Sequence, residues 1–181
     1  MGVEKMAISV GEDVAAALRE RHRGDVIDPA HPSYDEARQL YNAMIDKRPA
    51  VIARAVDAAD VIASVDFARE NGIDLAIRGG GHNGPGLGSV DDGLVIDLSA
   101  MRGVIVDPAA RTARVLGGSL AGDVDHATGA FGLAAPFGII ASTGVGGLTL
   151  GGGIGNLTRK LGPIPPRDAR TNFSSSAISK V

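Results

Sequence analysis

No cysteine occurs in the 181 residues, which excludes disulfide scaffolds, zinc–thiolate sites and cysteine nucleophiles. Tryptophan is also absent and aromatic residues make up only 3%, too few for a platform on which nucleic-acid bases stack. No run of basic residues breaks a formal net charge of −3, so a nucleic-acid partner is not expected. No stretch approaches the ~20 apolar residues that span a bilayer. Glu4, Glu12, Asp13, Arg19, Glu20 and Arg21 interrupt the start, leaving no apolar core for a signal peptide. These absences predict a soluble, cytoplasmic chain without membrane contact. What is present, 44% hydrophobic and 22% charged residues, suffices for a sizeable core in one domain or two small lobes.

Glycine is what the chain has in excess, and it is unevenly spread. Of 26 glycines, 22 fall between Gly79 and Gly162. The earlier part therefore reads as ordinary packed structure, and the later part as turn-dense backbone open to close neighbours. In the earlier part, Ala50-Val51-Ile52-Ala53 forms a short strand. Asp57 caps a helix from Ala58 to Asn71, with Asp60 near the positive end of its dipole. Val61, Val65 and Ala68, supported by Ile62, make its apolar face, and Gly72 supplies a left-handed stop. Leu75 to Arg78 follows as a strand, so a parallel pair with a crossover helix is expected.

Further strands fall at Leu94 to Leu98, Gly103 to Asp107 and Thr112 to Leu116, the last two joined by a turn through Pro108-Ala109-Ala110-Arg111. Ser119 caps a short helix with Leu120, Val124 and Ala127 on one face and Gly129 at its end. Beyond Gly162, Pro163-Ile164-Pro165-Pro166 and a serine-rich stretch forbid regular elements, so 163–181 is expected to be irregular or disordered.

Two glycine clusters concentrate the chemistry. Arg78-Gly79-Gly80-Gly81-His82-Asn83-Gly84 follows a strand, and its bare backbone lets consecutive N–H groups approach an anion. The cluster satisfies G-x-G-x-x-G, but Gly84-Pro85-Gly86-Leu87-Gly88 will not start the helix that the nicotinamide-type fingerprint requires. His82 has a bland reading as a hydrogen-bonded structural residue; its place inside the loop favours a reactive one. The second cluster, Thr143 to Gly155, holds seven glycines in thirteen residues. That many implies something large and flat, or highly charged, against the backbone. No Gly-Lys-Ser/Thr triplet follows it, which excludes a triphosphate loop.

Gly117-Gly118-Ser119-Leu120-Ala121 resembles a nucleophile elbow, but only His126 follows, on the same short helix, so helix capping is the better role for Ser119. His22, His31 and His126 lack ligand spacing, and no metal site is expected. The residue-level reading is a phosphate-bearing cofactor with a histidine beside its reactive end; the alternatives are a degenerate fragment needing a partner chain and a binder of some other phosphate ligand.

Four ordered motifs narrow the choice: Arg78 to Asn83, Gly93 to Ser99, Gly144 to Gly153 and Arg159 to Gly162. Together with Tyr41 to Ala50, they resemble the FAD-binding PCMH-type region of the FAD-linked oxidases, the vanillyl-alcohol oxidase and berberine-bridge-enzyme-like flavoproteins. The resemblance implies an α+β fold of two small α/β lobes, 26–98 and 99–162, the second incomplete, after an N-terminal helical segment at 1–25.

It implies FAD held by Arg78, Gly79, Gly80, Gly81, Asn83, Gly84, Thr143, Gly144, Gly146, Gly147, Gly151, Gly152 and Gly153, with Gly144, Gly146 and Gly147 nearest. His82 would bond covalently to the 8α carbon. Some relatives attach the flavin a second time through a cysteine; Ile140 stands at that position, so a single attachment is expected. The reaction implied is hydride removal from an alcohol, amine or sugar-like substrate. No catalytic base is identifiable, Asp97 is expected to be structural, and the ending reads as a truncation. Loss of the remainder would expose apolar surface and favour self-association.

Overall fold

A computed structural model describes residues 12–162 and 179–180. In chain order the elements are α1 (Glu12–Arg19), β1 (Val26–Ile27), α2 (Tyr34–Ala37), β2 (Val51–Arg54), α3 (Ala58–Asn71), β3 (Leu75–Arg78) and β4 (Leu94–Asp97). There follow β5 (Val104–Asp107), β6 (Thr112–Val115), α4 (Ala121–Gly129), β7 (Leu133–Ala134), α5 (Val145–Gly151), α6 (Thr158–Leu161) and β8 (Ser179–Lys180). The architecture is mixed α+β.

The expected strand–helix–strand unit is present, and β2 and β3 run parallel, but they are not neighbours. β4 lies between them in a sheet of order β1-β2-β4-β3, parallel to both, while β1 pairs antiparallel with β2. The reason lies in the side chains. Leu94, Val95 and Ile96 are apolar without alternation and suit a central strand covered on both faces. β3 alternates, with Leu75 and Ile77 exposed and Ala76 and Arg78 buried, which suits an edge. Val14, Ala15 and Leu18 of α1 and Phe67 and Ala68 of α3 close one side of the sheet against Val26, Val51 and Leu94. Tyr34 and Ala37 of α2 pack on the other side with Ile27, Ile52 and Val95.

The caps of α3 are as the sequence predicts. The Asp57 side chain accepts from Asp60 N–H, and Gly72 adopts φ 62° while its N–H reaches Ala68 and Arg69 carbonyls. Its buried face is different. Asp60, Ser64, Phe67 and Ala68 are buried, Val61 and Val65 only partly, and Ile62 is 61% exposed. Asp60 turns inward because it has donors there: backbone N–H groups of Arg23 (2.8 Å), Gly24 (3.1 Å) and Val56 (3.0 Å). Buried His22 lies 3.8 Å away and donates through Nδ1 to the Gly24 carbonyl. Burial pushes the Asp60 carboxyl up, but the backbone donors and His22 outweigh it and hold it below the usual aspartate value.

The second half is a β5–β6 hairpin, with Val104 opposite Val115, beside α4. Ala121, Val124, Phe137 and Val145 form its core. Ser119 is not a helix cap. Its Oγ lies 3.0 Å from Gly103 N–H and 3.1 Å from Gly103 O, tying the helix start to the hairpin. Leu120 occupies the cap position, and its N–H donates to Asp123 at 2.8 Å. The buried face of α4 is Ala121, Val124 and Thr128 rather than the expected Leu120–Val124–Ala127 stripe. Gly129 is the last residue of the helix, as expected, and the left-handed residue comes later, at Gly132. Residues 1–11 and most of the expected irregular tail lie outside the described residues. Within that tail Ser179–Lys180 is instead a strand, pairing antiparallel with β7.

Candidate functional site

At the carboxyl ends of the three parallel strands, register places Arg54, Asp97 and Arg78 side by side. Asp97 Oδ2 accepts from Arg78 Nη2 at 3.1 Å and Arg54 Nε at 3.4 Å, and its Oδ1 from Ser99 N–H at 3.0 Å. Asp97 thus anchors the end of the sheet. Arg54 also pairs with Asp25 at 3.8 Å, so Arg78 shares Asp97 with a guanidinium that has a second acid of its own. Arg78 Nη1 is buried without a hydrogen-bond partner among the described residues.

The first glycine loop leaves the sheet directly after Arg78 and meets the second. A Cβ on Gly144 would stand 2.1 Å from Gly80 N, and one on Gly80 would stand 2.3 Å from Gly144 N. The two backbones touch, and only glycine at both positions permits it. They form one cleft of about 480 Å³. Among the described residues, no backbone N–H of residues 79–84 donates to another protein atom. A run of free amides of this kind is an anion-binding surface.

Of the fourteen residues singled out from the sequence, twelve line this cleft: Arg78, Gly79, Gly80, Gly81, His82, Asn83, Gly84, Thr143, Gly144, Gly147, Gly151 and Gly152. Gly146 and Gly153 do not. A Cβ on Gly146 would lie 3.0 Å from the Gly117 carbonyl, and one on Gly153 would lie 2.3 Å from Leu148 Cδ1, so both are small because protein packs against them. Gly84, Gly147 and Gly151 have nothing within 4 Å of such a Cβ. The glycine excess thus has two causes, internal close packing and an open cleft wall. The second cluster also contains a helix, α5, that its composition did not reveal; Val145 and Leu148 hold it against the α4 core.

His82 stands where this cleft meets a second depression of about 330 Å³, lined in part by Tyr41, Ser99, Arg102 and Ser142. Its Nε2 lies 3.0 Å from Ser142 Oγ, and Tyr41 stacks on the ring at 3.9 Å between centroids and 20° between planes. Sequence reasoning did not single out either neighbour. Tyr41 stood inside a quoted motif, and Ser142 lies two residues after Ile140, which lines neither cavity. Arg102 is held by an ion pair with Asp123. Among the described residues no three His, Asp or Glu side chains could hold a metal ion, and no helix is long and apolar enough to cross a membrane.

An anionic dinucleotide fits these residues, on the unpartnered Arg78 Nη1, the free amides and the open side of Gly147 and Gly151. The model of an FAD binding domain matches residues 49–166. (R)-6-hydroxynicotine oxidase of Paenarthrobacter nicotinovorans is 39% identical over 140 residues, covering 77% of this chain and 31% of that protein. Berberine bridge enzyme-like 3 of Arabidopsis thaliana is 38% identical over 123 residues, 65% of this chain and 23% of that protein. The crystal structure of 6-hydroxy-D-nicotine oxidase from Arthrobacter nicotinovorans superposes with a TM-score of 0.77 at 38% identity, over 79% of this chain and 32% of that one. The chain spans about a third or less of these relatives. With the domain match extending over more than half of its residues and the glycine clusters meeting in one cleft, the chain belongs to the FAD-binding domain family of the FAD-linked oxidoreductases.

Proposed function

We propose that this chain is the FAD-holding part of a flavin-dependent oxidoreductase and that it attaches the flavin once, through His82. The free amides of residues 79–84 and the Arg78 guanidinium would take the pyrophosphate, and Gly144, Gly147, Gly151 and Gly152 would line its path. Bound FAD supplies a ring that accepts a hydride from an alcohol, amine or sugar-like substrate. His82 would hold the edge of that ring at the 8α carbon. The observation that carries this reading is the contact of Gly80 with Gly144, which joins two distant glycine clusters into one wall with His82 at its rim. We place the protein in the cytoplasm, a location that cell fractionation would check. Exposed apolar side chains such as Ile139, Leu150 and Ile154 would favour self-association, which light scattering at rising concentration would register as particles larger than a monomer.

The test is to incubate the purified chain with FAD, denature it and follow flavin fluorescence. Fluorescence should stay with the polypeptide, and His82→Ala should release it while still binding FAD reversibly. Failure to bind FAD at all defeats the reading. Reversible binding alone defeats only the histidine bond.

A further inference from the structure

We infer that Lys47 is the positioning residue that keeps amides of the first glycine loop turned to the cleft, through a strap formed by segment 41–48. The inference deepens the FAD-holding role proposed above and rests on it. Glycine adopts either sign of φ almost equally, so peptide planes in this loop can turn over at little cost. Each such turn would replace an N–H with a carbonyl that repels an anion. Something outside the loop has to hold it. Segment 41–48 contains no helix or strand, yet it supplies donors to the carbonyls of the loop and of the turn that follows. Tyr41 N–H reaches the Gly81 carbonyl at 3.3 Å, and Asn42 Nδ2 reaches the Gly84 carbonyl at 3.1 Å. Lys47 Nζ donates twice, to the Gly86 carbonyl at 3.1 Å and the Ser89 carbonyl at 2.9 Å.

The two lysine bonds fix a turn that is coupled to the loop. Gly86 N–H donates to the Asn83 carbonyl at 3.0 Å, Leu87 N–H to Asn83 Oδ1 at 2.9 Å and Ser89 N–H to the Gly86 carbonyl at 3.2 Å. Gly86 has φ 77°, and a Cβ there would stand 2.6 Å from Ile45 Cγ2, so the strap also packs against the turn. In a trans peptide the carbonyl and the next N–H point to opposite sides. Holding the Asn83 carbonyl in the turn therefore sends Gly84 N–H the other way, and holding the Gly81 carbonyl at Tyr41 does the same for His82 N–H. Both residues line the cleft, and among the described residues neither N–H has a protein partner. An ammonium suits this task because its hydrogen bonds are charge-assisted and it serves two carbonyls at once.

Lys47 belongs to neither core cluster of the sheet, so Lys47→Met, which keeps the stem and loses the donors, should still fold. In the ligand-free chain, nitrogen-15 relaxation should show the Gly84 amide as rigid as the sheet, more mobile in Lys47→Met, and rigid again in Lys47→Arg, whose guanidinium can also reach two carbonyls. Calorimetric titration with ADP, a soluble diphosphate, and with FAD should give affinities about tenfold weaker in Lys47→Met, the loss expected when the donor-facing loop falls to about a tenth of the population. Lys47→Arg should bind both within about twofold of the parent. A lysine that merely supports the fold would lower the melting temperature and, well below it, leave ADP affinity and the Gly84 amide unchanged. That result, or an arginine variant as weak as methionine, overturns the inference. If the parent chain binds neither ADP nor FAD, the FAD-holding reading fails, and the Gly84 amide still decides the role of Lys47.

Discussion

In the four-stranded sheet, Ile52, Leu94, Val95 and Ile96 are at most 1% exposed, and the structure coheres because large side chains fill the space between layers. Around the glycine clusters the contacts are main chain on main chain, with Gly80 against Gly144 and Gly118 against the Leu98 carbonyl. The first region is sensitive to atoms taken away and the second to atoms added. Rigid packing of the sheet provides a fixed edge, and the glycine loops leave polar backbone uncovered beside it. That division lets a stable frame present unsatisfied amides, which a side-chain-filled region would have paired or buried.

The largest effects should be losses of stability in both regions, from opposite changes in side-chain size. Ile96→Ala should cost about 3 kcal/mol through the cavity it leaves. Gly144→Ala removes nothing and should still cost about 2 kcal/mol, since its Cβ meets the Gly80 backbone at 2.1 Å. Urea denaturation of both variants measures this, and a neutral Gly144→Ala would mean that the two loops do not touch.

Asp60→Asn comes next. The folded carboxyl titrates below its ordinary 3.8, so its stabilisation is present above that value and is lost as the pH falls through the lower folded value. The substitution should cost about 1–2 kcal/mol at neutral pH by putting an amide among three backbone donors. The deficit should narrow in acid. A deficit equally large at all pH values would show that charge plays no part.

The smallest effect has the opposite direction. Gly147→Ala lies in α5 with open space beside it, and alanine should stabilise the helix by up to about 1 kcal/mol. FAD binding should weaken several-fold, because the methyl enters the cleft. Raised melting temperature with unchanged FAD affinity would remove Gly147 from the binding wall.

Local features of this fold were readable from residues three or four apart. Asp57 and Gly72 bracket α3 as their chemistry dictates, and the hairpin turn and the β3 boundaries match. Features set by distant partners were not. Asp60 reads as a dipole complement on the surface until the N–H groups of Arg23, Gly24 and Val56 are brought to it, and that rotation moves the whole buried face by one position. Ser119 reads as a cap for the same reason, its true partner Gly103 being sixteen residues away. Gly146 and Gly147 are indistinguishable as letters, but one is filled by Gly117 and the other faces open space.

Composition and motif order alone determined that two lengths of bare backbone, one of them carrying a histidine, could approach an anionic ligand, because missing side chains are properties of the residues themselves. That the ligand is FAD came from the resemblance of those motifs to a family. Only the tertiary structure decided that β4 separates β2 from β3, which glycines face the cleft, and that Ser142 and Tyr41 hold His82. These depend on contacts between segments many residues apart, and closing those distances is what folding adds.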